Sequence, residues 1–254
     1  MIKQNIIFSF SLSSYLGIKC FMMKKIHQVM ISMLFLIAPF SFASGVMNQP
    51  VIEDMVQIGR GIHAISDGDS IRYMTENGRF ILEGTIYDLW QQRLLTGYQD
   101  ILSAVSTIDL SKLDFDLTAL SPIKLGSGKR DVILFIDPYC PYCHQLLKEA
   151  NTLIADYTFW VIALPLLGEK SINAVKSLNC QPSQQDALEQ LLANDISLEN
   201  ANCDSIFHYG VIQKRMITAQ IFGIASVPFI INHLGRIKQG MPESLAKWLK
   251  DTNE

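Results

Sequence analysis

Two cysteines, Cys140 and Cys143, stand two residues apart in "DVILFIDPYCPYCHQLLKEA", between a continuous apolar run and an amphipathic one. Such a pair can exchange disulfides, clip a metal, anchor a haem or simply pack in a core. The flanking pattern predicts a strand running into a helix. A cysteine at that junction lies at the helix N-terminus, where unpaired N–H groups and the macrodipole favour negative charge. Lowering a thiol from about 8.5 to about 4.5 amounts to roughly 5 kcal/mol of preference for thiolate. Cys140 is therefore expected to be the nucleophile and the better leaving group. Cys143, one turn inward, is expected to attack a mixed disulfide at Cys140 and release the bound partner. Pro141 suits the first helical turn, where its missing N–H would be unpaired anyway. Tyr142 lies beside it between the sulfurs, and His144 is expected to add to the positive field or to sit on the surface.

Other chemistries fit less of the pattern. "CPYCH" is also the Cys-x-x-Cys-His haem attachment signature. That reading leaves the buried strand just before the motif without a purpose. A zinc clip calls for a second close ligand pair, whereas Cys180 and Cys203 are isolated from each other. A purely structural Cys140–Cys143 bond closes too small a loop to constrain the unfolded chain much.

The N-terminus suggests where this chemistry would operate. Residues 1–43 hold four lysines and no acid, and Ile26 to Ala43 is almost wholly apolar. Met23-Lys24-Lys25, the apolar "ISMLFLIAPF" and Ser41-Phe42-Ala43 predict a cleaved export signal ending after Ala43, with Met22 or Met23 as an alternative start. The apolar core is short for a membrane span. Without residues 1–43 the chain carries 17 Lys and Arg against 24 Asp and Glu, a net charge of −7. Neither that balance nor the full-length charge of −3 gives a footprint for nucleic acid or an anionic membrane surface. At 254 residues and 49% hydrophobic, one or two well-packed domains are expected. Export also removes Cys20, leaving four cysteines destined for an oxidising compartment. Two disulfides are the natural expectation, and proximity favours Cys140–Cys143 and Cys180–Cys203.

The elements that would position the pair follow from periodicity. Residues 46–65 mix helix and strand signals; 70–75 and 79–84 predict a hairpin about Asn77-Gly78; 86–105 predicts helix. A polar stretch at roughly 100–128, partly helical, predicts a linker. "DVILFID" and "FWVIALP" predict strands buried on both faces. Leu146, Leu147, Ala150 and Ile154 recur at helical spacing after Cys143, and 169–222 carries only helical patterns. Strands at "PFIIN" and "RIKQG" and a last helix at "ESLAKWLK" complete an order of strand, helix, strand, helices, strand, strand, helix.

That order is the thioredoxin order with a helical insertion, and the chain resembles the DsbC/DsbG family of periplasmic disulfide isomerases and reductases. The resemblance is carried by "FIDPYCPYCHQL", "IRYMTENGRFILEGTIYDL" and "GIASVPFIINHLGRIKQG", within about residues 46–252. It implies an α/β thioredoxin fold at 129–254, a linker at 106–128 and a small α+β dimerisation domain at 44–105. It further implies a V-shaped periplasmic homodimer that shuffles or reduces wrong disulfides in other exported proteins. No cofactor is needed, and the reductant would come from a membrane electron donor of the DsbD type. It makes Val227-Pro228 the cis-proline segment beside the active site, and Cys180–Cys203 a structural disulfide. Two positions bear on direction. The family has Thr before this proline, whereas Val227 is typical of DsbA-like oxidases; and Leu134 stands where thioredoxin and DsbA carry a buried acid, as suits the isomerases. A dithiol oxidase, a chaperone or assembly factor that binds unfolded chains, and a c-type haem carrier remain the competing readings.

Overall fold

Four short strands come first among the described residues: β1 (Asp54–Gly59), β2 (Ile62–Ser66), β3 (Ile71–Thr75) and β4 (Ile81–Leu82), forming one antiparallel sheet in that order. The structure is a computed structural model describing residues 52–199, 203 and 206–251, so the export signal assigned to 1–43 lies outside the described residues. Within 52–65 the mixed pattern resolves as strand alone. The β3–β4 turn takes its positive φ from Gly78 (+68°). Asn77 contributes a side chain instead, its Oδ1 accepting from the Thr75 hydroxyl and the Arg79 N–H.

Residues 86–95, expected to be helical, form a second hairpin, β5 (Ile86–Asp88) and β6 (Arg93–Leu95), before helix α1 (Tyr98–Ser106). The reason is local: Asp88 Oδ1 accepts the N–H groups of Trp90 and Gln91, turning the chain where a helix would have continued. Helix α1 then buries Ile101 with Ala64, Tyr73 and Leu95 in a small core of its own.

The segment expected to be a linker is largely part of the next core. Asp109 and Asp116 cap two single 3-10 turns, Leu110–Lys112 and Leu117–Leu120, by accepting from Ser111 and Thr118. Ile108 before the first turn, Leu120 in the second, and Ile123 and Leu125 after it are buried, the last two in strand β7 (Ile123–Leu125). Ile108 donates its N–H to the Gly235 carbonyl, and a side chain at Gly235 would meet the Ile108 oxygen at 2.5 Å. Ile108 and Leu120 thus join one of the two cores on the sheet that follows, and Ile123 and Leu125 the other.

The remaining elements are β8 (Arg130–Ile136), α2 (Pro141–Asn151), β9 (Tyr157–Ala163), α3 (Glu169–Asn179), α4 (Gln184–Ala193), α5 (Ile206–Ile221), β10 (Phe229–Ile231), β11 (Ile237–Gln239) and α6 (Leu245–Lys250). The strands form one sheet in the order β11-β10-β8-β9-β7. Only β8 and β9 run parallel; the others pair antiparallel. A parallel pair joined through a helix and flanked by antiparallel strands is the thioredoxin fold, and α3 and α4 are its helical insertion. Alternate residues of β8 face opposite sides of the sheet. Val132, Leu134 and Ile136 pack with Leu146, Leu147 and Ala150 of α2 and Leu249 of α6. Ile133 and Phe135 pack with Ala219 and Phe222. Helix α2 stops at Asn151, so Ile154 lies outside the helix that the spacing suggested and is exposed. Among the described residues no helix is long and apolar enough to cross a membrane.

A fragment starting at Thr107 should unfold cooperatively on heating, as followed by circular dichroism. One starting at Lys129 loses four buried apolar side chains, each worth about 1.5–3 kcal/mol. That is comparable with a whole domain's margin, and its melting transition should broaden or vanish.

Candidate active site

Cys140 is the N-cap residue of α2 and Pro141 its first helical residue. The Cys140 carbonyl accepts the N–H groups of Cys143 (3.0 Å) and His144 (3.2 Å), while its own N–H donates to the Asp137 carbonyl (3.1 Å). The strand, the turn and the helix start are thus tied into one short junction. Cys140 retains 5% of its surface and Cys143 none. Cys140 is thus far less open than its place at a helix terminus suggested. Its Sγ donates to the Val227 carbonyl at 3.6 Å. Burial pushes the Cys143 thiol far above the ordinary range, helped by its hydrogen bond with Cys140 and by the charges of Cys140 and Asp137.

Both sulfurs are free thiols, so of the two disulfides expected, one is present among the described residues: Cys180–Cys203. It joins the C-terminal end of α3 to the chain that leads into α5. The Val227-Pro228 peptide bond is cis, and Pro228 is buried. Val227 is half-buried and touches both faces of the core, so its backbone carbonyl is what it offers to Cys140.

His144 has a task the sequence did not suggest. Its Nε2 lies 2.7 Å from the Pro138 carbonyl. A carbonyl only accepts, so Nε2 carries the hydrogen and the ring braces the turn before the motif. Tyr139 (39% exposed) and Tyr142 (63%) flank Cys140 as open aromatic surface. Leu134 is fully buried in the core cluster that holds both cysteines. His63 and His233 are half-buried away from the motif, and burial lowers the His233 pKa.

Asp137 was missed altogether. It is fully buried. Its Oδ1 accepts from the Tyr139 N–H and the Ser171 hydroxyl, both at 2.8 Å, and its Oδ2 from the N–H groups of Leu166 (2.7 Å) and Leu167 (2.9 Å). An acid followed by proline reads in sequence as a turn residue; its distant partners carry no local signal.

No family model matches the chain. It is similar to curated proteins named thiol:disulfide interchange protein DsbC. One from Dickeya dadantii is 24% identical over 186 residues, 71% of each chain, and one from Haemophilus influenzae is 26% identical over 197 residues, 76% of this chain and 80% of that one. A probable DsbC from Bordetella avium is 26% identical over 146 residues. The chain spans about half the length of that relative (50%). Among solved structures, a disulfide interchange protein from Neisseria gonorrhoeae is similar with a TM-score of 0.45 and 22% identity, over 52% of this chain and 92% of that one. ScsC of Proteus mirabilis in a compact conformation is similar at 0.49 and 16%, over 57% and 80%.

A thiol whose pKa is raised stays protonated, and so unreactive, at pH values where an ordinary thiol has ionised. In native protein at pH 8.5, iodoacetamide should therefore modify Cys140 well before Cys143, with both reacting alike after denaturation. Mass mapping of the alkylated peptides reads the order.

Proposed function

We propose that the chain is an exported thiol–disulfide oxidoreductase that isomerises or reduces non-native disulfides in other exported proteins, as its likeness to proteins named DsbC suggests. The observation that carries this reading is the inequality of the two sulfurs. Cys140 caps a helix and keeps a sliver of surface, whereas Cys143 is enclosed and its thiol is held protonated.

The chemistry follows in balanced steps. The Cys140 thiolate attacks a substrate disulfide, forming a Cys140–substrate bond and expelling the other substrate sulfur as thiolate. In isomerisation, another substrate thiolate attacks the substrate sulfur of that bond, making a new substrate disulfide and returning the Cys140 thiolate. In reduction, Cys143 loses its proton and attacks Cys140, giving the Cys140–Cys143 disulfide and a substrate thiol. That disulfide needs a dithiol donor to reopen it, which we assign to a membrane partner of the DsbD type. A protonated Cys143 slows the second branch and gives the first more time. Val227, with no hydroxyl to offer the sulfurs, favours the alternative of a dithiol oxidase. The haem-carrier reading is disfavoured because Cys143 is enclosed and His144 Nε2 is committed to Pro138.

Residues 44–105 are proposed to dimerise. Phe80, Ile81 and Leu82 on and beside β4, and Met55 on β1, are each about half exposed on the two edge strands of the sheet. Unpaired strand edges bearing apolar side chains invite pairing with another chain. Two active sites facing one cleft would raise the local concentration of thiolate around a bound unfolded chain.

Cys140→Ala should abolish insulin reduction and rescue of scrambled ribonuclease, and Cys143→Ala should accumulate mixed disulfides with substrates. Activity retained in Cys140→Ala, with no adducts in Cys143→Ala, would reverse the roles. Alkylation of cells should find Cys140 and Cys143 mostly reduced; a mostly oxidised pair would favour the oxidase. Sedimentation should find the mature protein dimeric and Ile81→Lys shifted to monomer. That variant and the fragment from Thr107 should still reduce small disulfides but rescue ribonuclease poorly. A monomeric wild-type protein would remove the dimeric isomerase.

A further inference from the structure

We propose that Asp137 is a positioning residue for the redox pair: its carboxylate locks the turn that carries Cys140 to the loop Leu164–Gly168 and the first turn of α3, holding the Cys140 sulfur at the start of α2. The proposal rests on the redox role given above to Cys140 and Cys143.

All four partners of the carboxylate are donors, two to each oxygen. Each bond to an ionised acceptor of this kind is stronger than a neutral one. One of the four, from Tyr139, lies within the motif turn; the other three, from Leu166, Leu167 and Ser171, come from 29 to 34 residues away. The same residue's backbone carbonyl receives the Cys140 N–H. Asp137 thus grips the cysteine turn with its backbone and the neighbouring loop with its side chain. Among the described residues no cationic side chain bonds this carboxylate. Of the charged side chains on the elements around it, Glu169 and Lys170 are exposed, and the buried Arg215 donates to the carbonyls of Leu120, Ser121 and Ala163. A buried carboxylate is expensive unless its acceptor sites are filled. Here they are filled by groups whose positions define the site.

The consequence lies in the reduced state. The unpaired N–H groups of a helix start favour negative charge, so a sulfur kept at the N-cap favours the reduced form of the pair, which raises its potential. Loosening the turn should therefore favour the disulfide and move Cys140 ionisation to higher pH. Asparagine has nearly the same shape but presents an NH2 group to N–H donors, so it cannot keep all four bonds. Ser171→Ala removes one bond, keeps the charge and touches neither sulfur.

The test is the dithiol–disulfide equilibrium of the full mature chain against glutathione, with the pH midpoint of Cys140 alkylation measured alongside. Asp137→Asn should shift the equilibrium towards the disulfide by about tenfold, which is about 30 mV for two electrons. Ser171→Ala should shift it by about threefold in the same direction, and both should raise the midpoint. Folded variants that stay within twofold of wild type overturn the proposal. So does a midpoint that falls in Asp137→Asn, because the lost charge would then outweigh the lost brace. Should Asp137→Asn fail to fold, Ser171→Ala decides alone. Wild-type protein that reaches no equilibrium with glutathione would instead overturn the redox reading on which the proposal stands.

Discussion

From Val132 to Ile136 strand β8 has no side facing water, each residue being at most 5% exposed. A strand apolar on both faces must be covered on both, and most of the following chain meets that demand. Helices α2 and α6 cover one face and α5 the other, while β9 and β10 saturate its two edges. Five side chains at about 1.5–3 kcal/mol each are a large part of what opposes chain entropy here. The strand ends at Ile136, and burial continues through Asp137 and Pro138 into the turn. Because α2 must start close by to reach back over the sheet, its N-terminus and unpaired N–H groups fall beside the strand's carboxyl end, with Cys140 between them.

The parts governed by this constraint were legible in the sequence. A continuous apolar run can only be a buried segment, and "DVILFID" is too short for a helix. The recurrence of Leu146, Leu147 and Ala150 declares a helical face directly. The segment 107–125 was not legible, because Ile108, Leu110, Leu113, Phe115, Leu117 and Leu120 recur at intervals of two and three with aspartates between them. Single 3-10 turns have no sustained period, so a buried strap reads as a polar linker. Residues 86–95 failed for another reason. Leu89, Trp90, Leu94 and Leu95 suggest a helical stripe, but Asp88 captures two N–H groups, and a tight turn replaces the helix.

The chemistry was legible at the level of residue type and less so at the level of environment. The motif identifies two sulfurs; it does not say that both are buried, that His144 braces the Pro138 carbonyl, or that Asp137 is filled by four donors. Such facts depend on contacts with residues far along the chain. The two sulfurs are placed differently: enclosure keeps Cys143 protonated, while Cys140 caps the helix start. One apolar core can support both because the two positions differ by a single helical turn.

The remaining contact of Cys140 links this inequality to substrate. The bond from its Sγ to the Val227 carbonyl exists only while the sulfur carries a proton. On ionisation the sulfur becomes an acceptor, and two acceptors no longer hold each other. The Val227 oxygen is then available to the N–H of an extended chain lying across the site, the way strands recognise one another. A threonine at 227 would give the sulfur a hydroxyl donor in place of the lost bond; valine gives none. In the redox role proposed for the pair, loss of the Cys140 proton would free the Val227 carbonyl, so nucleophile and strand edge would be offered to a substrate together.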